Sequence, residues 1–261
     1  MKTLLGVSIA VCVAILGCSK SDNPNGPSGQ GTVRVTMIDG PAAFSSVNIV
    51  ITEVSVHKAG SDTSSGWVVV NNSTRTYNLL SLTNGSASII GESNLDAGMY
   101  TQVRLKIGAG SNVVVGGVQF ALDVSSNSEV KLNHPFTVSA NAVCGLTVDF
   151  DADKSVHVTG TTQFKLNPVI RCSDDDQAGS ISGTVSPAFA RATISTVSGS
   201  DTLRVAADSA SGAFKLVAVP AGTYSVKITP SLPSYADTTI AGVQVTARQD
   251  RSLGTINLSP R

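Results

Sequence analysis

The stretch MYTQVRLKI, residues 99–107, alternates apolar and polar side chains with a period of two. This period predicts a β-strand with one buried face, because successive side chains of a strand point to opposite sides of the sheet. We expect the buried face to carry Met99, Thr101, Val103, Leu105 and Ile107. The solvent face is then expected to carry Tyr100, Gln102, Arg104 and Lys106.

The same alternation extends to both sides of this strand. Residues 32–37 and 47–56 show it, and a change of parity near Thr52 and Glu53 predicts a bulge. Further short strands are expected at residues 67–70, 77–82, 118–122, 129–132, 146–151, 155–159 and 164–170. After the N-terminal segment, no sustained helical apolar period is present. The sequence therefore predicts an all-β protein with antiparallel sheets.

A polar, acidic run at residues 173–179 (SDDDQAG) interrupts the strand pattern. We interpret residues 174–178 as a solvated linker, which explains the charges more simply than a coordinating cluster does. The linker separates a first unit, residues 31–173, from a second unit, residues 179–261. Seven strand candidates follow one another in the second unit at the spacing of a small sandwich. The predicted architecture is two antiparallel β-sandwich domains in tandem.

The N-terminus has the layout of an export signal. Lys2 precedes an apolar segment of 13 residues, 4–16, which is shorter than the roughly 20 residues of a membrane-spanning helix. The motif ILGC at residues 15–18 resembles the cleavage site of bacterial lipoproteins. This resemblance implies removal of residues 1–17 and lipidation of Cys18, and the alternative is an ordinary secretory signal with an incidental cysteine. Residues 18–30 are polar and contain Pro and Gly, which predicts a flexible tether.

A lipidated Cys18 implies a protein of the bacterial cell envelope that contacts a membrane through its lipid anchor. Ser19, the next residue, is compatible with delivery to the outer membrane. The 18 basic and 18 acidic residues give a formal net charge of zero, and no basic stripe is visible. Nucleic acid is therefore not an expected partner.

Enzymatic activity is the least supported class of function. The sequence contains no Gly-x-Ser-x-Gly elbow and no glycine-rich phosphate loop. His57, His134 and His157 lie far apart in the sequence, which argues against a zinc site. We expect no catalytic residues and no cofactor.

Cys144 and Cys172 are the two cysteines outside the export signal. Disulfides persist in exported proteins, so we predict a bridge between them. Such a bridge would stabilise the fold by roughly 3–4 kcal/mol in the chain-entropy picture. The alternative is a pair of reduced thiols, one of them packed in the core.

Asp149, Asp151 and Asp153 alternate along the chain and raise the hypothesis of a calcium site. On an extended strand such carboxylates lie roughly 6.6–6.8 Å apart, which is too far to share one ion unless a loop gathers them. The EF-hand pattern also fails, because Lys154 stands where it needs glycine and Gly160 where it needs glutamate. A solvated strand end is the simpler interpretation.

Three aromatic residues, Trp67, Tyr77 and Tyr100, could offer a ring to a sugar. Trp67 is the only tryptophan and begins the apolar run VVV at 68–70, so we predict that it lies in the core. Tyr100 lies on the predicted solvent face of its strand. It is therefore the candidate carbohydrate-binding residue.

The second unit resembles a known family. The matching segments are GSISGTV at 179–185, GAFKL at 212–216, VPAGTY at 219–224, GVQV at 242–245 and LGTI at 253–256. Together they resemble the carboxypeptidase regulatory-like domain, a β-sandwich of the prealbumin type. The resemblance implies an accessory module without catalytic residues.

The first unit resembles a second family over residues 31–171. The matching segments are DGP at 39–41, VNIVITEVSVH at 47–57 with the following Trp67, LLSL at 79–82, NG at 84–85, AGMYTQVRL at 97–105, VDFD at 148–151 and KS at 154–155. In this order they resemble the domain of unknown function 4382, which is seen in predicted bacterial lipoproteins. The resemblance implies no activity.

These observations predict a lipid-anchored envelope protein that acts as a non-catalytic binding, adhesion or scaffolding module. The alternative is a carbohydrate-binding lipoprotein that uses loops of the first unit. The expected partner is accordingly an envelope protein or a glycan.

Overall fold

The computed structural model describes residues 29–124, 129–160 and 162–261. The predicted signal peptide at 1–17, the lipidation site Cys18 and nearly all of the predicted tether lie outside the described residues. Within the described ranges, no helix is both long enough and apolar enough to cross a membrane.

Strands make up most of the described ranges. The first thirteen are Gln30–Asp39 (β1), Ser46–Lys58 (β2), Trp67–Asn71 (β3), Arg75–Asn78 (β4), Ser88–Asp96 (β5), Gly98–Ile107 (β6), Asn112–Val115 (β7), Val118–Asp123 (β8), Glu129–Val138 (β9), Val143–Phe150 (β10), Val156–Val158 (β11), Phe164–Leu166 (β12) and Ile170–Asp174 (β13). The other seven are Ala178–Ser186 (β14), Thr193–Ser198 (β15), Asp201–Ala206 (β16), Ala213–Pro220 (β17), Gly222–Thr229 (β18), Thr238–Val245 (β19) and Asp250–Asn257 (β20). In the described ranges, helical structure is limited to one short α-helix, Ala152–Ser155 (α1), and 3-10 turns at Leu79–Ser81 and Ala188–Ala190.

Strands β1–β13 form two sheets. The four-stranded sheet has the order β13-β10-β1-β5. The nine-stranded sheet has the order β11-β12-β8-β7-β2-β6-β9, and β3 and β4 both pair with β2. Most neighbouring strands are antiparallel, but β1 pairs with β10 and β8 with β12 in parallel. The long strand β2 therefore organises the larger sheet.

The two sheets of β1–β13 enclose one hydrophobic core. Val33, Val35 and Met37 of β1 are fully buried in it, together with residues of β2 and β6 such as Val54 and Val103. Burying one such side chain contributes about 1.5–3 kcal/mol, so this alternation alone commits β1, β2 and β6 to their orientation.

Strands β14–β20 form a second pair of sheets around a separate core. The sheets have the orders β17-β14-β20 and β16-β15-β18-β19. Ile181, Ile194, Val226 and Ile228 are fully buried between them. All seven strands expected in the second unit are present, and the predicted all-β class is confirmed. One departure from pure antiparallel pairing is the parallel ladder between β14 and β20.

The chain passes from β13 to β14 through a tight turn. Asp174 still belongs to β13 and Ala178 already belongs to β14, so only residues 175–177 of the predicted linker lie between strands. The N–H of Gln177 donates to the carbonyl oxygen of Asp174 at 3.1 Å and closes this turn. Three residues leave little freedom between the first unit (β1–β13) and the second unit (β14–β20).

The two units contact each other through β13, β16 and β17. A guanidinium nitrogen of Arg171 in β13 donates to the carbonyl oxygen of Ala218 in β17 at 3.1 Å. The backbone of Ala218 has φ of +54°, where the ladder between β14 and β17 shifts register. Arg204 of β16 lies 3.6 Å from a carboxylate oxygen of Asp151 in the first unit. The bulge in β17 thus points the carbonyl group of Ala218 toward Arg171. In a regular strand this carbonyl would instead be available for a backbone hydrogen bond of the sheet.

The solvent-facing orientation predicted for Tyr100 is wrong, and a second bulge is the reason. The register between β6 and β9 shifts between Tyr100 and Gln102, which inverts the alternation at the start of β6. Tyr100 is 1% exposed, whereas Met99, which we expected in the core, is 54% exposed. The bulge predicted near Thr52 and Glu53 is confirmed, since the register between β2 and β6 shifts between Ile51 and Glu53.

Candidate binding face around Trp67

Trp67 lies on the outer surface of the nine-stranded sheet, so the prediction that it belongs to the core is wrong. In the pairing of β3 with β2, Trp67 is opposite His57 and Val69 is opposite Ser55. Val70 points inward and is buried, whereas Val69 is exposed and Trp67 is partly exposed. The run VVV at 68–70 is apolar on both sides of the sheet, so it does not reveal which side Trp67 occupies.

The guanidinium of Arg104 stacks on the indole of Trp67. Its central carbon lies 4.1 Å from the ring centroid, a cation–π geometry. The same guanidinium donates to Ser55 Oγ at 2.9 Å and to Glu53 Oε1 at 2.8 Å. Arg104 is therefore fixed by the sheet beneath it and in turn holds the indole ring.

Charged side chains of β2, β6 and β9 continue from Arg104 across the sheet. Lys106 donates to Glu53 Oε2 at 3.0 Å and lies 3.8 Å from Glu129. Lys131 lies 3.9 Å from Glu129, and its Nζ is 5.6 Å from the Trp67 centroid. Burial acts to raise the pKa of Glu53, but hydrogen bonds from Lys106, Ser55 and Arg104 outweigh it and leave the pKa below its usual range. Three cations and two carboxylates thus form a nearly neutral network.

The loop 59–66 fixes the edge of the indole ring. Trp67 Nε1 donates to the carbonyl oxygen of Thr63 at 3.1 Å. His57 packs its ring against the indole edge at a centroid distance of 5.1 Å, and His57 Nε2 lies 3.0 Å from the carbonyl oxygen of Asp62. A Cβ at position 66 would lie 2.7 Å from His57 Nε2, which explains why this close approach needs Gly66. The ring is therefore held on three sides.

We call this surface the Trp67 face. Its members share the outer side of β2, β3, β6 and β9, and they are Glu53, Ser55, His57, Trp67, Gln102, Arg104, Lys106, Glu129, Lys131 and Asn133. Gln102 donates to Asn133 Oδ1 at 2.7 Å, beside Lys131. A held aromatic ring beside amide, ammonium and carboxylate groups can recognise a ligand that has both apolar and hydrogen-bonding groups.

The candidate carbohydrate-binding residue, Tyr100, is not part of this surface. Its ring stacks on Phe136 in the core at a centroid distance of 5.4 Å, and its hydroxyl donates to the carbonyl oxygen of Asp96 at 3.0 Å. Tyr100 is thus a core residue, and the structure contradicts its assignment to sugar binding. The bulge that buries it leaves no sign in the apolar–polar alternation of β6.

The predicted disulfide between Cys144 and Cys172 is absent, and both thiols are free. The register explains why, because Cys172 lies opposite Val148, four residues along β10 from Cys144. Four residues of strand span roughly 13 Å, whereas bridged cysteines have Cα atoms about 4.4–6.8 Å apart. Burial raises the pKa of Cys144 to about 11 and that of Cys172 to about 12.

Asp149, Asp151 and Asp153 are not assembled as a calcium site. Asp149 accepts a hydrogen bond from Arg171 at 3.0 Å. Asp151 caps α1 by accepting from the backbone N–H of Lys154 at 3.1 Å, while Asp153 lies within that helix. In the part of the chain that the structure describes, no group of three or more His, Cys, Asp or Glu residues could hold a metal ion.

Asp39 is a buried carboxyl group that the sequence reading did not single out. It is 6% exposed, and its Oδ1 accepts from the backbone N–H of Ala152 at 2.9 Å. Its Oδ2 has no hydrogen-bond partner among the described residues. Burial raises the pKa of Asp39 to about 8, and the nearby Asp149 and Asp151 act in the same direction. Only the fold brings these three carboxyl groups together, so no local motif marks them.

Comparison with curated proteins gives no match. Among solved structures, a mutant type II cohesin–X-dockerin complex from Acetivibrio cellulolyticus is 29% identical, with a TM-score of 0.25. That match covers 31% of this chain, which spans 58% of the other chain. The shaft pilin SpaA of Lactobacillus rhamnosus GG is 12% identical, covers 90% of this chain and 98% of its own, and has a TM-score of 0.27.

One family model also matches this sequence. Its description is "Domain of unknown function (DUF4382)", and the match covers residues 30–168, which is most of the first unit and more than half of the chain. The match includes all strands that build the Trp67 face. The protein is therefore a member of the DUF4382 family.

Proposed function

We propose that this protein is a non-catalytic binding module, held at the bacterial cell envelope by a lipid on Cys18. The observation that carries the binding role is the Trp67 face, where an aromatic ring is fixed at the surface by Arg104, His57 and Thr63. Tryptophan and arginine are the residue types that most often dominate binding energy at recognition surfaces.

The construction of this face suits recognition. Arg104 and Lys106 are engaged with Glu53, so their side chains are already ordered before a ligand arrives. Ordering such flexible side chains on binding would otherwise weaken the affinity. The face also stands on four paired strands, which hold a binding geometry better than loops do.

The anchor is proposed from the motif ILGC at residues 15–18. The polar segment that follows it would separate the lipid from β1, leaving the first unit near the membrane and the second unit beyond it. The resemblance of the second unit to a carboxypeptidase regulatory-like domain supports an accessory role for it. Attachment to the outer membrane stays a prediction.

Two measurements test this function. Replacing Cys18 with alanine in the full chain should abolish incorporation of labelled palmitate and removal of residues 1–17. Soluble protein that lacks residues 1–17 and carries Cys18→Ser should sediment with isolated envelopes of the source bacterium, and Trp67→Ala should reduce the bound fraction at least fivefold.

Phe189→Ala is the matched control for the binding measurement. Phe189 is an aromatic residue of the second unit that is 60% exposed and remote in sequence from the Trp67 face. Its substitution should leave envelope binding unchanged. Equal binding by the Trp67→Ala and unsubstituted proteins would remove the binding role from this face, and unchanged palmitate incorporation by Cys18→Ala would exclude the anchor.

A further inference from the structure

We propose that the ligand of the Trp67 face is a carbohydrate chain, with one pyranose ring stacked on the indole of Trp67. This inference rests on the proposed binding function and names the ligand class for the same surface. Its basis is the combination of a held aromatic ring, exposed amide and ammonium groups beside it, and an ion-pair network below it.

The indole offers an apolar surface of the size of one sugar ring. Arg104 occupies one side of the indole, and the residue remains partly exposed. The C–H groups on one side of a pyranose carry slight positive charge, which an aromatic face attracts. Since the hydrogen bond to Thr63 and the contact with His57 fix the ring, stacking needs no rearrangement of the side chain.

Hydroxyl groups of the same sugar would find partners on β6 and β9. Lys131 and Asn133 are exposed and follow each other on the outer side of β9, and Gln102 lies opposite Asn133. Ammonium groups donate, carboxylates accept, and amides do both. Vicinal hydroxyls, which also donate and accept, fit such a mixed set.

The charges favour a carbohydrate over a protein partner. A protein interface would cover the exposed ion pairs that Glu129 makes with Lys106 and Lys131, and removing such pairs from water carries a large penalty. Lysine and glutamate are accordingly depleted at the centre of protein interfaces. A glycan covers less surface and supplies hydroxyl groups that can replace the lost water.

The sequence provides a direct probe, because Trp67 is the only tryptophan in the chain. The experiment titrates the soluble chain, which lacks residues 1–17 and carries Cys18→Ser, with laminarin, xylan, galactomannan, dextran and polygalacturonate, and follows tryptophan emission. We expect a saturable change with at least one of them, and retardation of the protein in a gel that contains the same polysaccharide. A panel that produces neither effect would overturn the inference.

Variants then locate the site. Affinity electrophoresis should show at least a tenfold loss of affinity for Trp67→Ala, an intermediate loss for Trp67→Phe and a severalfold loss for Lys131→Ala. Phe189→Ala should bind as the unsubstituted chain does. Unchanged affinity of Trp67→Ala would overturn the inference. If Trp67→Ala fails to fold, as judged by circular dichroism, unchanged affinity of both Trp67→Phe and Lys131→Ala would overturn the inference instead.

Envelope treatment separates this inference from the proposed function. Periodate oxidation of isolated envelopes, which destroys vicinal diols, should abolish binding of the chain, whereas protease treatment should preserve it. The opposite result would identify a protein partner, so the carbohydrate inference would fall and the binding function would stand. If neither treatment reduces binding and Trp67→Ala binds as well as the unsubstituted chain, the carbohydrate inference and the binding function of this face both fall.

Discussion

The side-chain oxygen of Asn84 accepts a hydrogen bond from the backbone N–H of Lys215 at 2.6 Å, so a loop of the first unit completes the edge of a strand in the second. Asn84 Nδ2 also donates to the carbonyl oxygen of Ala213 at 3.2 Å. β17 is the outer strand of its sheet, and these two bonds occupy groups that a neighbouring strand would otherwise use. The backbone of Asn84 has φ of +56°, a conformation that asparagine adopts more readily than most residues.

Asn84→Gly should loosen this contact without straining the turn. We expect faster hydrogen exchange at the Lys215 amide and a free energy of unfolding lower by about 1–2 kcal/mol, since two hydrogen bonds are lost. Asn84→Ala should lower it by about 1 kcal/mol more, because alanine resists positive φ. Asn84→Asp retains the acceptor and should protect the Lys215 amide; equal exchange in all four proteins would contradict this assignment.

The ion pair between Arg171 and Asp149 should stabilise the same junction. The pKa of Asp149 is raised above its usual value, and burial is the largest cause. The charge and the hydrogen bond of Arg171 act in the opposite direction. Arg171→Ala should lower the free energy of unfolding by roughly 3–5 kcal/mol in urea, because it leaves a buried carboxylate unpaired and frees the carbonyl of Ala218. Arg171→Met combined with Asp149→Leu should recover part of that loss; additive losses of the two single substitutions would contradict the pairing.

Asp39 should make folding stability depend on pH. Its folded pKa of about 8 lies far above the ordinary value near 3.8, with burial as the main cause. Protonated Asp39 contributes fully to the free energy of unfolding below pH 4, where the folded and the unfolded chain both hold the proton. This contribution is lost as pH rises toward 8, because the unfolded chain releases the proton above its ordinary pKa while the folded chain still holds it. Asp39→Asn should therefore gain stability over the unsubstituted protein between pH 4 and 8, on the order of a few kcal/mol. Parallel stability curves for the two proteins would contradict this prediction.

The strands of regular alternation could be predicted from the sequence, and so could the bulge near Thr52 in β2, whereas the irregularities of β5 and β6 could not. Alternation identified β1, β2 and β6 because each buries one side of a sheet. β5 was not predicted, since a register shift against β1 places Ile90 inward and leaves Ile89 exposed, so no single period runs through it. The bulge at Tyr100 likewise depends on the partner strand β9, which lies thirty residues further along the chain.

The candidate site was beyond sequence reasoning for a related reason. Trp67 and Arg104 meet because β3 and β6 are the two neighbours of β2 in the sheet. The local sequence does not indicate which distant strands pair with each other. The same holds for Cys144 and Cys172, whose separation depends on the register between β10 and β13. Residue types suggested an aromatic platform, but only the register shows which ring reaches the surface.

Substitution of Tyr100 should lower the free energy of unfolding and leave envelope binding unchanged, whereas substitution of Trp67 should reduce envelope binding. Tyr100→Phe loses one hydrogen bond to Asp96 and should lower the free energy of unfolding by about 1 kcal/mol, and Tyr100→Ala by about 3–5 kcal/mol, because the ring is in the core. Envelope binding by Tyr100→Phe should equal that of the unsubstituted chain. Reduced binding by Tyr100→Phe with unchanged stability would restore Tyr100 as a ligand contact.

The two cysteines should behave as free, weakly reactive thiols. Because burial raises the pKa of Cys144 to about 11 and of Cys172 to about 12, little thiolate is present at neutral pH, and alkylation of the folded protein should be slow. In denaturant, the soluble chain that lacks residues 1–17 and carries Cys18→Ser should show both thiols by mass after alkylation without prior reduction. Its melting temperature should not change with a reducing agent, since no bridge constrains the unfolded chain. A lower melting temperature under reduction, with no alkylation before it, would show that the strands can shift far enough to bring the two sulfurs together.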